Sequence, residues 1–158
     1  MDDHSLYGAQ FTPRISTTVR LAPRAVLHAS LGRAFVAPVF DDLFKPTELF
    51  AQAIGEVVGE TGNRALKPEK VWSADAGVRW QSSRSLGEVS LYWSRYRDLI
   101  QPVTRRLRIQ DGDAVFLTLG NVAEANIAGV ELTQRLRILP DLQAHLSYTY
   151  QQASSSDD

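Results

Sequence analysis

The chain has 158 residues, a formal net charge of −1 and no cysteine. That balance gives no electrostatic footprint for nucleic acid or an anionic surface, and it excludes a disulfide scaffold and thiolate metal sites. Hydrophobic residues make up 44% and charged residues 22%. Soluble domains share those values with transmembrane barrels, in which only every second strand residue meets lipid.

No apolar run reaches the roughly 18 residues that a transmembrane helix needs. The opening Met1-Asp2-Asp3-His4-Ser5 lacks the basic and apolar regions of a signal peptide. If the chain belongs in an outer membrane, the expectation is that its true N-terminus lies upstream.

From residue 13 onward the dominant period is two. Ile15, Thr17, Val19 and Leu21 alternate with Ser16, Thr18 and Arg20. Ala25, Leu27, Ala29 and Leu31 alternate with His28, Ser30 and Gly32, with Val26 as an exception. Trp72, Ala74, Ala76, Val78 and Trp80 alternate with Ser73, Asp75, Gly77 and Arg79. Val89, Leu91 and Trp93 do so with Glu88, Ser90, Tyr92 and Ser94; then come Val130, Leu132, Leu136 and Ile138, a row that Gln134 breaks, and finally Leu142, Ala144, Leu146, Tyr148 and Tyr150. Such alternation specifies strands with one apolar and one polar face. Six strands are predicted, at residues 13–21, 25–35, 69–80, 88–100, 114–138 and 142–152.

The connections sort by length. Those at 22–24, 81–87 and 139–141 are short, and they alternate with long ones at 36–68 and about 101–113. Short turns at one end and long loops at the other is the layout of outer-membrane barrels. Within the first long connection, Leu49, Phe50, Ala53, Ile54 and Val57 fall at helical spacing. They predict a short loop helix inside 47–58, packed on the rim or touching a ligand.

Trp72 and Trp80 share a face eight residues apart, roughly 26 Å of strand at about 3.3 Å per residue. A tilt of about 40° leaves roughly 20 Å of height, close to the roughly 25 Å apolar band of a transmembrane barrel. Core aromatics of a soluble sheet would satisfy the same spacing. The length of the strand at 114–138 favours the barrel, since soluble strands usually run about five or six residues.

Candidate chemistry is sparse. His4, His28 and His145 lack ligand-like spacing. Asp41-Asp42 suit helix caps better than loop ligands, and Asp111-Gly112-Asp113 suits a turn. No phosphate loop, nucleophile elbow or supported carboxylate pair is present, so neither an enzyme nor a bound cofactor is expected. Pro68 suits the first position of a strand, and Gly129 inside a strand marks a bulge or a close approach. Asp75, Arg79, Glu131, Arg135 and Arg137 all fall on polar registers. Arg95 and Arg97 instead fall on the apolar register of Val89, Leu91 and Trp93. Either that strand has left the membrane by then or its register changes.

Five segments, in order, resemble the β-barrel of TonB-dependent outer-membrane receptors. Arg33-Ala34-Phe35-Val36-Ala37-Pro38-Val39-Phe40-Asp41-Asp42-Leu43-Phe44 resembles their "FRAPSFDDLY" segment. Gly62-Asn63-Arg64-Ala65-Leu66-Lys67-Pro68-Glu69 resembles their "GNPxLKPE". Tyr96-Arg97-Asp98-Leu99-Ile100 is similar to the end of the next-but-one strand, and Asn121 through Gly129-Val130-Glu131-Leu132 to "NxxxAxxxGVEL". Tyr148-Thr149-Tyr150 resembles the "YTY" of the next strand. Val36 and Arg64-Ala65 depart from the family's usual residues, and residues 45–61 are long and apolar for this loop.

The resemblance implies an all-β fold, an antiparallel meander of about six strands within a large transmembrane barrel, 22-stranded in the family and holding a plug. Residues 1–152 would be part of the barrel and 153–158 the start of a loop, with the plug and C-terminal strands outside this sequence. It marks Phe35, Pro38, Asp41, Asp42, Leu43, Gly62, Asn63, Leu66, Pro68, Glu69, Asn121, Gly129, Val130 and Glu131 as motif positions of structural character. The implied function is TonB-coupled uptake of a scarce nutrient, a siderophore, cobalamin or a carbohydrate, across the outer membrane of a Gram-negative-type bacterium. The implied partners are outer-membrane lipid, TonB acting through the plug, and a small molecule on the extracellular loops. Two other classes stay open: a soluble antiparallel β-sheet binding module, and a structural outer-membrane barrel without transport.

Overall fold

The period-two segments join into one long sheet. The computed structural model describes residues 2–4, 8–53, 56–109 and 112–157. In chain order the elements are β1 (Asp2–His4), β2 (Gly8–Gln10), β3 (Arg14–Ala22), β4 (Ala25–Val36), α1 (Phe40–Phe44), β5 (Glu48–Ala53), β6 (Glu56–Glu60), β7 (Glu69–Gln81), β8 (Ser85–Ile109), β9 (Gly112–Leu139) and β10 (Leu142–Asp157). The short antiparallel ribbon of β1 and β2 stands apart from the main sheet. In that sheet β3, β4, β7, β8, β9 and β10 follow one another as an antiparallel meander. The expected short turns lie at Pro23-Arg24, Ser82–Arg84 and Pro140-Asp141.

Four expectations change. Residues 47–58 form the β5–β6 hairpin rather than a helix; of the residues that suggested the helix, Ile54 lies outside the described residues. β6 pairs in parallel with β9 over Asp113–Leu117. The β-branched Val58 suits a strand. Second, the connection at 101–113 is mostly ladder: β8 runs on to Ile109, paired with Gly112. The expected Asp111-Gly112-Asp113 turn falls partly at residue 111, outside the described residues. Third, β10 continues through 153–157, which were expected to begin a loop. Fourth, the strand expected at 88–100 begins at Ser85.

Ladder partners carry each side chain's face across the sheet. One row runs Leu27–Val78–Val89–Leu132–Tyr148, and the next Ala29–Ala76–Leu91–Val130–Tyr150. The intervening face carries Ser30–Asp75–Tyr92–Gly129–Gln151 and His28–Gly77–Ser90–Glu131–Thr149. The expected apolar and polar faces are therefore continuous over five strands.

Among the described residues nothing packs on the apolar face: Ile15 is 69% exposed, Leu91 62% and Leu146 56%. The buried apolar residues Leu43, Leu66, Ala114, Phe116 and Ala123 all belong to α1, the loop before β7, or the outer part of β9. The dry core thus sits at the long-loop end, and the body of the sheet has none.

Candidate functional site: a loop clasp at the long-loop end

At that end, connection 36–68 is fastened onto the projecting β8–β9 hairpin. The fastening starts with a break in the ladder. Register shifts between Tyr96 and Leu99, and Asp98 takes a positive φ of 59°, a conformation that Asp tolerates better than most residues. The bulge leaves backbone groups without ordinary ladder partners. Two side chains supply them: Glu69 Oε1 accepts from Ile100 N–H at 2.7 Å, and Asn121 Nδ2 donates to the Asp98 carbonyl at 2.7 Å.

Asn121 also holds the incoming loop. Its Oδ1 accepts from Lys67 N–H at 2.8 Å, and its Nδ2 donates to the Lys67 carbonyl at 2.8 Å. The side-chain amide thus imitates a ladder pair at a place where Pro68 ends any backbone pairing of its own. Asn63 works the same way one turn earlier. Its Nδ2 donates to the Leu119 carbonyl at 2.8 Å, its Oδ1 accepts from Ala65 N–H at 3.0 Å, and its N–H donates to the Asp42 carbonyl at 2.8 Å.

Asp42 closes the first turn of α1, its Oδ2 accepting from Val39 N–H at 3.4 Å. It therefore acts as half of a capping box. Asp41 contributes its carbonyl to Lys45 N–H at 2.9 Å. Gly62 is required by close approach: a Cβ there would lie 2.6 Å from Lys45 N and 3.0 Å from the Leu43 carbonyl carbon. The Arg64 guanidinium sits 5.0 Å above the Phe44 ring. Lys45 pairs with Glu60. That hydrogen bond raises the lysine's pKa above its ordinary 10.5, against a smaller lowering by burial. Beside this pair is a hollow of about 190 Å³ lined by Asp41, Asp42, Glu60 and Thr118. The buried Thr118 hydroxyl has no partner among the described residues.

The motif positions thus divide. Asp41, Asp42, Leu43, Gly62, Asn63, Leu66, Glu69 and Asn121 converge in the clasp, and Pro38 and Pro68 are buried beside it. Phe35 lies on β4 opposite Lys70. Gly129, Val130 and Glu131 lie lower on β9. Gly129 is a close approach rather than a bulge, since a Cβ would meet the Tyr92 ring at 2.5 Å. Val130 faces Leu91 on the apolar side, and Glu131 faces Ser90 on the polar side. Asp98 was not singled out, although an Asp beside a run of apolar strand residues is a usable signal for a left-handed bulge.

A family model described as TonB dependent receptor-like, beta-barrel, matches residues 2–158. The chain belongs to this family. Among curated relatives, the vitamin B12 transporter BtuB of Photobacterium profundum is 27% identical over 132 residues, covering 84% of this chain and 19% of that protein. The same transporter of Vibrio vulnificus is 29% identical over 131 residues, covering 83% and 18%. This TonB-dependent receptor segment therefore spans about a fifth of the length of the curated relatives it matches. Among solved structures, the siderophore receptor PirA from Pseudomonas aeruginosa superimposes with a TM-score of 0.78 at 19% identity, over 96% of this chain and 30% of that one. The ferric enterobactin receptor PfeA of the same organism gives 0.78 at 21% identity, over 94% and 23%. These likenesses show a shared barrel fold.

Proposed function

We propose that the receptor containing this segment sits in the bacterial outer membrane and takes up a scarce small-molecule nutrient, driven by TonB through a plug encoded elsewhere in the same protein. The segment, with β10 running on to Asp157, then forms barrel wall and its loops, with the apolar face on lipid and the polar face on the lumen. The observation that carries the reading is the unpartnered apolar face of a sheet that matches the family along its whole length. In water such a face and two open edges would drive aggregation. In a closed barrel the edges disappear and lipid covers the face.

The clasp fits an extracellular role. It fixes the start and end of connection 36–68 while β5, β6 and the tips of β8 and β9 project beyond the sheet body. Cobalamin and ferric siderophores are the ligand classes that the relatives' names support. The receptor moves its ligand and does not convert it chemically. The test is growth of a strain deleted for the full-length receptor, with vitamin B12 or a ferric siderophore as the limiting nutrient. Lost growth, restored by the receptor only when TonB is present, is the expected result. Restoration that is independent of TonB would refute energy-coupled uptake.

A further inference from the structure

The apolar face ends abruptly at Trp72 and gives way to a cationic patch. Register sets Arg33 and Arg95 on either side of Trp72, and Arg97 opposite Lys70 one step further out. These four cations share the face that, below this level, carries Leu31, Ala74 and Trp93. Two carboxylates answer them. Asp98 takes Lys70 at 2.6 Å; Glu124 takes Arg95 at 2.9 Å and Arg97 at 3.6 Å. Arg33 has no acidic partner among the described residues, and the Arg95 Nε is buried without one. Two positive charges stay uncompensated around a hollow of about 490 Å³ that Trp72 also lines.

A loop ligand would have to reach round to the outside of the wall to use this hollow. We propose instead that it binds the phosphate of an outer-leaflet lipid headgroup, with Arg33, Arg95 and Arg97 on the phosphate and the acyl chains lying along the apolar face. The proposal rests on the reading of that face as lipid-facing. Guanidinium suits the role because its planar fork matches phosphate oxygens. Long basic side chains at the edge of an apolar band reach headgroup level while their stems stay in apolar surroundings. Exposed tryptophans such as Trp72 and Trp93, 38% and 39% exposed, are the residues that settle at this interface.

The probe is lipid A, a doubly phosphorylated glycolipid, present as a minority component in phosphatidylcholine nanodiscs holding the full-length receptor. Native mass spectrometry after detergent extraction counts the lipid A retained. Enrichment over phosphatidylcholine is expected, with retention about fivefold weaker in Arg33→Gln, weaker again in Arg33→Gln/Arg97→Gln, and largely kept in Arg33→Lys. Unchanged retention in the double variant would overturn the proposal. So would displacement of lipid A by inorganic phosphate at matched concentration, which would mark a site for soluble anions. In parallel, brominated acyl chains should quench the fluorescence that Trp72→Phe/Trp93→Phe removes. Quenching without lipid A enrichment sinks the headgroup site alone; absence of quenching sinks the lipid-facing reading as well.

Discussion

Asn121→Ala should release connection 36–68 without disturbing the β8–β9 ladder. The side chain makes three hydrogen bonds, two to Lys67 and one to Asp98, at 2.7 to 2.8 Å. Each is worth about 0.5–1.5 kcal/mol net. The two to Lys67 lie at exposed positions, so a total of about 1.5–3 kcal/mol is reasonable. The loss falls on local docking, because the backbone pairing of Asn121 with Ile100 does not use the side chain. At about 1.4 kcal/mol per tenfold, amide exchange across residues 62–69 should quicken by about ten- to a hundredfold. Hydrogen-exchange mass spectrometry on the full-length receptor in detergent reads this directly. Peptides within 88–96 and 126–136 should keep wild-type protection. Asn121→Asp is the sharper variant. It keeps an acceptor for Lys67 N–H but sets a carboxylate against the Lys67 and Asp98 carbonyls, so it should loosen the segment more than alanine does. Wild-type exchange in 62–69 for Asn121→Ala, or greater protection in Asn121→Asp than in Asn121→Ala, would refute the account of the clasp.

Gly129→Ala should destabilise the receptor by about 1–3 kcal/mol, read as a lower thermal midpoint. Tyr92→Ala should recover only part of this, because the Tyr150 carbonyl lies 2.6 Å from the new Cβ as well. Spin labels at Val78 and Leu136 in the reconstituted receptor should report hydrocarbon, since ladder partners place both on the apolar face; water exposure at both would reverse the assignment of faces. The Lys45–Glu60 pair gives a signed pH effect. A lysine pKa raised on folding contributes stability that is fully present below the ordinary 10.5 and is lost as pH rises through the raised value. Protection factors near β5 and β6, corrected for the base-catalysed intrinsic exchange rate, should therefore stay flat through neutral pH, fall only in that alkaline window, and lose the dependence in Lys45→Met. Residues 1–158 expressed alone should aggregate without detergent, because β3 and β10 offer open edges; a monodisperse, well-protected monomer would favour a soluble module.

The strands of the sheet body were readable from residue order. Where one face meets apolar surroundings and the other does not, side chains must alternate, and the period-two rows of β3, β4, β7 and β10 carry that demand openly. The same rows set which residues pair, so the register of Val78 with Val89 and Leu132 follows from pattern and short turns. The outer part of β8 was hidden for the converse reason. A hairpin projecting beyond the sheet body is under no such demand on its faces, so Thr104, Arg105 and Arg106 look like loop. The hairpin at 48–60 escapes a reading of residue order because its apolar residues satisfy helical spacing too, and only the parallel pairing of β6 with β9 selects a strand. The clasp was visible as a set of residues but not as a mechanism. Asn121 meets Lys67 across 54 positions, and Glu69 meets Ile100 across 31. Their task exists only once the Asp98 bulge has stripped the ladder of its partners, and that break is a property of two strands together.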